Sequence, residues 1–297
     1  MSRSLILLHK NLVIAAQILT EPLPISSSAH VWITDFFWKK SNPLALDVAT
    51  EHLMDLLFFP TLIVLIFFFR HHVIHLIKTI FTSHKQSQIS SHYMRWWMIM
   101  LRLAGYVAAS TFIFAAVFLV IKNLEKILNI YTKDDWFVPF WGLAFTMIFQ
   151  ASLFFAPNTQ ASESSLNLGK ACIIGALQGL AALPGVSRLS TTLVTARWLN
   201  IPPHRAFEFS TLLQIIIFVG NFVKNTIVAR QPGQLFSLQP YIPLLSEASI
   251  SSIAVIIGCT ILSYAGLLLT NKLNAEKKLW KIAPYMLIPM SLLIFFH

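Results

Sequence analysis

Charged residues are scarce in this sequence: Asp, Glu, Lys and Arg make up 11% of it, against roughly 25% in an ordinary soluble domain. This scarcity, together with 56% hydrophobic residues and a mean hydropathy of +0.68, excludes a soluble globular protein. The long apolar runs also lack the alternation of apolar and polar residues that marks barrel strands. The chain is therefore predicted to be an all-α polytopic membrane protein.

Cysteine is rare as well, since Cys172 and Cys259 lie far apart in apolar runs and form no CxxC pair. This spacing excludes a disulfide framework and a zinc site, so both residues are predicted to be small buried hydrophobes. Lys10 interrupts the first apolar stretch, and no small-residue cleavage pattern follows it. We therefore expect no removable signal peptide.

The net charge of +10 has two interpretations. The first is charge that flanks the spans and attracts anionic lipid headgroups, and the second is an anionic substrate. Nucleic acid is not an expected partner, because the basic residues are spread over short loops without a soluble domain to carry them. Flanking charge explains most of the excess, and individual arginines remain candidates for an anion site.

Six apolar segments are long enough, or nearly so, to cross the roughly 30 Å of hydrocarbon in a bilayer. They are Leu53–Arg70, Trp97–Lys122, Trp136–Ala156, Ala206–Ala229, Ala248–Asn271 and Lys281–Phe296. Two shorter segments, Leu5–Pro24 and Leu168–Pro184, end in proline, and the second is followed by the short run Leu193–Leu199. These interrupted segments predict two re-entrant helical hairpins, since irregular backbone is tolerated where it lines a cavity.

The order of these segments, a hairpin and three spans followed by the same again, predicts two repeats within one membrane domain, residues 1–156 and 157–297. Because each repeat crosses the membrane an odd number of times, the second is inverted. A weak internal sequence similarity supports this arrangement. The stretch Gln17-Ile-Leu-Thr-Glu-Pro-Leu-Pro resembles Gln178-Gly-Leu-Ala-Ala-Leu-Pro at the same place in the second repeat. In such folds the breaks converge near the midplane, so Glu21–His30 and Pro184–Thr192 are the predicted walls of the site.

Lysine and arginine predict the orientation in the membrane. The loops Arg70–Trp96 and Asn271–Lys281 are rich in both, whereas Ala229–Glu247 contains only Arg230. The two basic loops are therefore expected in the cytoplasm and both termini outside. The loop with Lys126 and Lys133 fits this assignment less well, although acidic residues accompany it.

The second break favours an anion site. The Pro-Gly pair at 184–185 predicts a turn, and the Ser/Thr-rich stretch after it predicts a capped helix start. Arg188 then lies beside a helix N-terminus, where free backbone N–H groups already favour an anion. A guanidinium with the Ser187 and Thr192 hydroxyls suits phosphate oxygens. The alternative is a plain helix cap with an arginine that reaches lipid headgroups.

The first break carries ionisable groups in an apolar context, which is typical of a functional site. A carboxylate such as Glu21 repels a phosphate unless it is protonated or a cation lies between them, and oxygen ligands favour Mg²⁺ or Ca²⁺. His30 is a candidate general acid or base. Ser26, Ser27 and Ser28 provide either a nucleophile with His30 as its base or a hydroxyl and N–H cradle for phosphate.

At these residues the sequence resembles the bacterial undecaprenyl-diphosphatase family, which is linked to bacitracin resistance. Gln17-xxx-Glu21 followed by Leu-Pro-Ile-Ser-Ser-Ser-Ala-His30 is similar to the family's first signature, (E/Q)xxxE and then LPISS…H. The stretch Pro184-Gly-Val-Ser-Arg…Thr192 is similar to the second signature, PGxSRSxxT, and Ala206–Leu213 resembles the A..FSFLL segment. The eight-segment layout extends the resemblance over essentially the whole chain.

The resemblance implies hydrolysis of undecaprenyl diphosphate to the monophosphate and phosphate, which recycles the lipid carrier for peptidoglycan synthesis and confers bacitracin tolerance. It also implies a bacterial inner-membrane location, an active site open to the periplasm and a divalent cation. By motif, Glu21 binds the metal or acts as acid or base, Ser27 is nucleophile or phosphate ligand, and His30 transfers protons. Arg188 clamps the diphosphate, with the supporting residues Gln17, Ser26, Ser187 and Thr192.

Alternatives remain open at this point. Attack by metal-bound water competes with attack by Ser27, and a transporter of an anionic polyprenyl phosphate competes with the enzyme, because inverted repeats with broken helices are also a transporter architecture. Leu189 and Ser190 stand where the family has Ser and Gly, and Gln17 leaves one carboxylate instead of two. The expected partners are the lipid substrate and the membrane, with a homodimer as an open alternative.

Overall fold

The structure is a computed structural model that describes residues 3–41, 50–70, 74, 91–128, 136–157, 166–228 and 250–296. All regular secondary structure in these ranges is helical, and they contain no strand. The all-helical class predicted from the apolar runs is therefore confirmed. All of the loop Ala229–Glu247 and most of the loop Arg70–Trp96 lie outside the described residues, so the orientation in the membrane stays a prediction.

Ten α-helices are described, together with three 3₁₀-helices that each adjoin an α-helix. The α-helices are α1 (Arg3–Thr20), α2 (Ser27–Ser41), α3 (Thr50–Phe68), α4 (Ser91–Leu128), α5 (Phe137–Ala151), α6 (Leu168–Gly179), α7 (Arg188–Trp198), α8 (Pro203–Val228), α9 (Ile250–Ala275) and α10 (Leu287–Phe296). The 3₁₀-helices are Ser152–Phe155, Leu180–Ala182 and Leu279–Met286.

Four of the described helices are long and apolar enough to cross a membrane, namely Leu101–Ile127, Phe137–Phe155, Pro203–Lys224 and Ile250–Ala275. The other apolar helices are shorter: Leu7–Thr20, Leu57–Phe68, Leu168–Ala182 and Leu279–Phe295. The protein is thus a multi-pass helical membrane protein. The last of the six predicted spans begins as a 3₁₀-helix that contains Pro284, a residue without the N–H that an α-helix needs.

The two interrupted segments form α1 and α6, and each of these helices packs on the helix that follows its break. α1 packs on α2 across the break 21–26, and α6 packs on α7 across the break 183–187. α1 also packs on α9, and α6 packs on α4. Both breaks are therefore enclosed by neighbouring helices, as backbone that leaves its helical hydrogen bonds must be in a membrane.

Helix α5 packs directly on the second break, backbone against backbone. A Cβ added at Gly142 of α5 would lie 2.1 Å from the carbonyl oxygen of Pro184. Gly185 has φ +92°, a conformation that glycine adopts without steric cost, and a Cβ on it would lie 2.3 Å from the Pro139 carbonyl oxygen. The absence of a side chain at these two glycines allows the backbone of the second break to lie directly against the backbone of α5.

Helix α7 is buried from Leu189 to Arg197 although it is rich in hydroxyl groups. Its threonine hydroxyls bond within the helix: Thr191 Oγ1 donates to the Arg188 carbonyl at 2.8 Å and Thr195 Oγ1 donates to the Thr191 carbonyl at 2.6 Å. At the other end Arg197 donates to the Ile201 carbonyl at 3.1 Å. A buried polar helix of this kind presents its first residue, Arg188, at the break.

Candidate active site

Glu21 lies at the centre of a polar cluster where the two breaks meet. It follows the last residue of α1, its backbone N–H donates to the Gln17 carbonyl at 3.0 Å, and its side chain is only 2% exposed. The Gln17 amide donates to Glu21 Oε2 at 2.9 Å. The four-residue spacing therefore places both side chains on one face at the end of α1.

Ser27 and Arg188 complete the hydrogen bonding of this carboxylate. Ser27, the first residue of α2, donates its hydroxyl proton to Glu21 Oε2. Arg188, the first residue of α7, donates from Nη2 to Glu21 Oε1 at 3.0 Å. A buried carboxylate requires such donors, since an unpaired one is costly. The Arg188 side chain is 23% exposed, so the cluster is accessible from the arginine side.

Two aromatic rings contact the Arg188 guanidinium. Its Cζ lies 5.6 Å from the ring centroid of Phe58 and 5.6 Å from that of Phe218. The two rings stack on each other with 4.8 Å between centroids. Arginine is attracted to aromatic faces at such distances, so Phe58 of α3 and Phe218 of α8 limit the positions that the guanidinium can adopt.

The hydrogen bonds of His30 run to Ser26 and Tyr285 and not to Ser27. His30 Nδ1 lies 2.5 Å from the Ser26 carbonyl oxygen, and because a carbonyl only accepts, Nδ1 carries the proton. Nε2 of the neutral ring is then an acceptor, so the Tyr285 hydroxyl, 3.0 Å away, donates to it. The two rings also stack, with 5.7 Å between centroids. The role of His30 as base for Ser27 stays a prediction.

Ser26 and Ser28 hold the start of α2 and join the two breaks. Ser26 Oγ accepts from the Ala29 N–H at 3.3 Å, which is the hydrogen bond of a helix cap, and lies 3.1 Å from Ser28 Oγ. Ser28 Oγ in turn accepts from the Gly185 N–H at 3.3 Å. The serine run therefore contributes one direct contact to the carboxylate, through Ser27, and one to the second break.

Ser187 and Thr192 organise the backbone around Arg188. Ser187 is the N-cap of α7, and its Oγ accepts from the Ser190 N–H at 3.2 Å. Thr192 Oγ1 donates to the Arg188 carbonyl at 3.1 Å. Both side chains are buried, and the phosphate contact predicted for them stays a prediction. Ser190 is buried too, and among the described residues its hydroxyl has no hydrogen-bond partner.

Three residues of the site are absent from the motif interpretation. Gln214 of α8 donates from Nε2 to the Glu21 carbonyl at 2.8 Å. Thr146 of α5 donates to the Gly185 carbonyl at 3.0 Å and accepts from the Ser187 N–H at 3.1 Å. The sequence feature that could have identified Gln214 and Thr146 is a polar side chain within an apolar span. Tyr285 has no local signal, because its partner His30 is 255 residues away.

The Glu21 carboxylate and the Ser27 hydroxyl beside it are oxygen ligands of the kind that a hard divalent cation takes. Within the described part of the chain no group of three or more His, Cys, Asp and Glu side chains is arranged to hold a metal. Mg²⁺ is commonly bound through one or two carboxylates together with phosphate oxygens of the substrate. One buried carboxylate beside a guanidinium is consistent with that arrangement.

The fold and the site define a polytopic helical membrane protein with a carboxylate–guanidinium cluster between two helical hairpins. Residues 13–288 match the family described as bacitracin resistance protein BacA, and the chain belongs to this family. The resemblance seen in the two signatures is thereby confirmed.

Curated relatives cover most of the chain. It is 32% identical to an undecaprenyl-diphosphatase of Geobacter metallireducens over 220 residues, which are 72% of this chain and 73% of the relative. It is 32% identical to one of Pelagibacter ubique over 235 residues, 77% of each chain. For one of Campylobacter concisus the identity is 26% over 231 residues, 76% of this chain and 79% of the relative.

Proposed function

We propose that this protein hydrolyses undecaprenyl diphosphate to undecaprenyl phosphate and inorganic phosphate, which recycles the lipid carrier of peptidoglycan synthesis and confers bacitracin tolerance. The observation that carries the proposal is the contact of Arg188 and Ser27 with one buried carboxylate, Glu21, in a chain of the BacA family. The names of the relatives describe a diphosphatase, and the transporter alternative is not favoured.

Arg188 is the group we propose to bind the terminal phosphate. Its guanidinium is partly exposed and stands at the start of α7, where backbone N–H groups also favour an anion. Without substrate the guanidinium is neutralised by Glu21. A diphosphate competes with Glu21 for these donors, so binding of the substrate and release of the carboxylate are coupled.

The released carboxylate has a defined task in this mechanism. Glu21 Oε2 already accepts a hydrogen bond from the Ser27 hydroxyl. Glu21 is therefore placed to take the hydroxyl proton as Ser27 Oγ attacks the terminal phosphorus. The bond to phosphorus forms as the bridging P–O bond breaks, and undecaprenyl phosphate leaves. His30 is proposed to transfer protons to the leaving group or to the water that hydrolyses the phosphoserine. Direct attack by water, with Glu21 as its base, is the alternative.

A divalent cation, Mg²⁺ or Ca²⁺, held by Glu21 and substrate oxygens would neutralise phosphate charge at this site. Gln17, Ser26, Ser187 and Thr192 are proposed to support substrate binding by holding the polar groups in place. The Glu21 carboxylate and the neighbouring Ser27 hydroxyl support the assignment of the cation.

We further propose six membrane spans and two re-entrant hairpins, α1–α2 and α6–α7, arranged as inverted repeats in the bacterial plasma membrane. The site is proposed to open to the periplasm. The packed helix pairs on either side of each break support the hairpins, and the basic loops support the orientation.

The test is release of phosphate from a polyprenyl diphosphate by the purified protein in detergent, with and without EDTA. We expect EDTA to abolish activity, Mg²⁺ or Ca²⁺ to restore it, and Glu21→Gln to remove it. Glu276→Gln is the matched control, since Glu276 is an exposed carboxylate paired with Lys278, and it should retain full activity. No release under any divalent cation, with lipid-phosphate binding retained, contradicts the proposal.

A further inference from the structure

A groove that contains none of the candidate active-site residues runs along α4 and α8. It consists of a cavity of about 480 Å³ and a second cavity of about 680 Å³. Leu103 of α4 and Leu212 of α8 line both cavities. The two cavities are therefore neighbours along the same pair of helices and form one groove.

One end of this groove is positively charged. Arg102 and Arg205 line the first cavity, with Glu208 as one carboxylate against two guanidinium groups. Neither arginine has an ion pair or hydrogen bond with another residue that the structure describes. Two guanidinium groups with unused donors in one cavity favour a phosphate, whose oxygens accept from arginine in a forked geometry.

The two arginines also mark one level of the membrane. Arg205 is the third residue of α8 and stands near the start of the span Pro203–Lys224, and Arg102 of α4 lines the same cavity. Because both side chains line the same cavity, the two spans begin on the same side of the bilayer. Arginines at the ends of spans lie at the depth of lipid headgroups, so the phosphate that fits here is a headgroup phosphate.

The other end of the groove is apolar and one leaflet long. It is lined mainly by aliphatic and aromatic side chains, including Val107, Ala108, Phe112, Ala115 and Ile216. From Leu103 to Ala115 the helix rises about 18 Å, close to half of the roughly 30 Å hydrocarbon thickness. Only 6% of the α4 span is buried inside the protein, so this surface is open to a hydrocarbon chain.

We propose that the groove binds one anionic phospholipid of the leaflet in which the α4 and α8 spans begin. Its phosphate lies between Arg102 and Arg205, and one acyl chain follows the apolar part of the groove along α4. The charge and the length of the groove together favour this lipid over two other occupants. A second copy of the chain would need to place a carboxylate against each arginine. A long polyprenyl chain would extend beyond one leaflet. The proposal is independent of the hydrolytic activity.

The test is native mass spectrometry of delipidated protein in detergent, titrated with phosphatidylglycerol or phosphatidylcholine of equal chain length. We expect phosphatidylglycerol to bind at one site more tightly than phosphatidylcholine. At about 1 kcal/mol for each arginine, Arg102→Gln with Arg205→Gln weakens phosphatidylglycerol binding roughly 30-fold. Lys126→Gln, an exposed basic residue at the far end of α4, is the matched control and leaves binding unchanged.

A second variant tests the apolar part without altering charge. Ala108→Trp fills the groove, and we expect it to weaken phosphatidylglycerol binding with both arginines present. Equal binding of the two lipids, or unchanged binding in the double arginine variant, overturns the proposal. The proposal is also overturned if the delipidated protein forms a dimer that dissociates when lipid is added, since the groove would then be a contact between two copies. Stronger binding of a polyprenyl phosphate than of phosphatidylglycerol overturns it as well.

Discussion

At the scale of single residues, the hydrogen bonds of Glu21 decide how the motif can work. Its Oε2 accepts from Gln17 and Ser27, and its Oε1 accepts from Arg188. The nearest base to the Ser27 hydroxyl is therefore Glu21, while both nitrogens of His30 are engaged by Ser26 and by the phenol of Tyr285. A Ser–His pair is the usual expectation for a serine nucleophile, whereas here a carboxylate takes that position.

This contact leads to a prediction for Ser27. If Ser27 Oγ is the nucleophile, Ser27→Ala lowers kcat by at least about 10²-fold, the lower end of what a positioned proton acceptor and its partner contribute, with little change in KM. The measurement is steady-state phosphate release in detergent. Ser291→Ala, which removes a hydroxyl that donates to the Ile288 carbonyl of its own helix, serves as the control. Near-normal turnover in Ser27→Ala makes water the nucleophile.

Tyr285 is predicted to position His30. Tyr285→Phe removes the hydroxyl that donates to His30 Nε2 and retains the stacked ring. The net value of one such hydrogen bond is about 0.5–1.5 kcal/mol, so we expect kcat to fall roughly 2- to 10-fold at an unchanged KM. Tyr285→Ala also loses the stacking contact and should fall further. Identical kinetics for wild type and Tyr285→Phe contradict this role.

The motifs alone identify the residues that gather at Glu21 but not the contacts between them. Glu21, Ser27 and Arg188 are the predicted catalytic residues that the structure brings into direct contact. The phosphate contacts of Ser187 and Thr192 stay a prediction, and the structure adds that their hydroxyls bond to backbone groups of α7. A hydroxyl near a helix start fits a cap and a ligand site equally well, and only the folded backbone distinguishes them.

At the scale of helices, the fit of α5 against the second break is a further point where the fold can be tested. Gly142→Ala places a methyl group against the Pro184 carbonyl oxygen, and overpacking of this kind costs roughly 1–3 kcal/mol. We expect a melting temperature lower by several degrees and reduced phosphatase activity, because the break carries Arg188. Both are measured on purified protein in detergent.

Gly258→Ala is the matched control for that prediction, since Gly258 is also helical but has no atom within 4 Å of an added Cβ. Alanine favours a helix over glycine by about 1 kcal/mol, so this variant should melt at the same or a slightly higher temperature. Equal melting of the two variants would show that α5 does not pack closely on the break.

Helix existence was predictable from the sequence, whereas helix length and partners were not. Apolar runs and prolines indicate where helices begin and break. In the sequence similarity between the two repeats, Gln17 and Gln178 each provide a side-chain amide before a break, and both amides are buried. Only Gln17 bonds a carboxylate, because the second break has alanine where the first has Glu21. Contacts such as Gln214 with Glu21 depend on helix packing, which local periodicity does not encode.

At the scale of the whole molecule, the two breaks are joined by an ion pair and by the bond between Ser28 and Gly185. The site therefore exists only when both halves of the chain are folded together. For the proposed reaction, a cluster enclosed in this way needs an opening to one side of the membrane, and which side depends on the orientation of the spans. The distribution of lysine and arginine makes that orientation testable.

The two ends of α9 provide the test. This helix has 26 residues, about 39 Å at 1.5 Å per residue, which exceeds the hydrocarbon thickness, so both ends reach water. In a background without Cys172 and Cys259, we expect Ile250→Cys to react with a membrane-impermeant maleimide in intact spheroplasts. Lys277→Cys, in the basic turn after α9, should react only after permeabilisation. Both positions are exposed, so a difference between them reports the side of the membrane. The reverse pattern would place the basic turn outside and contradict the assignment of the site to the periplasmic side.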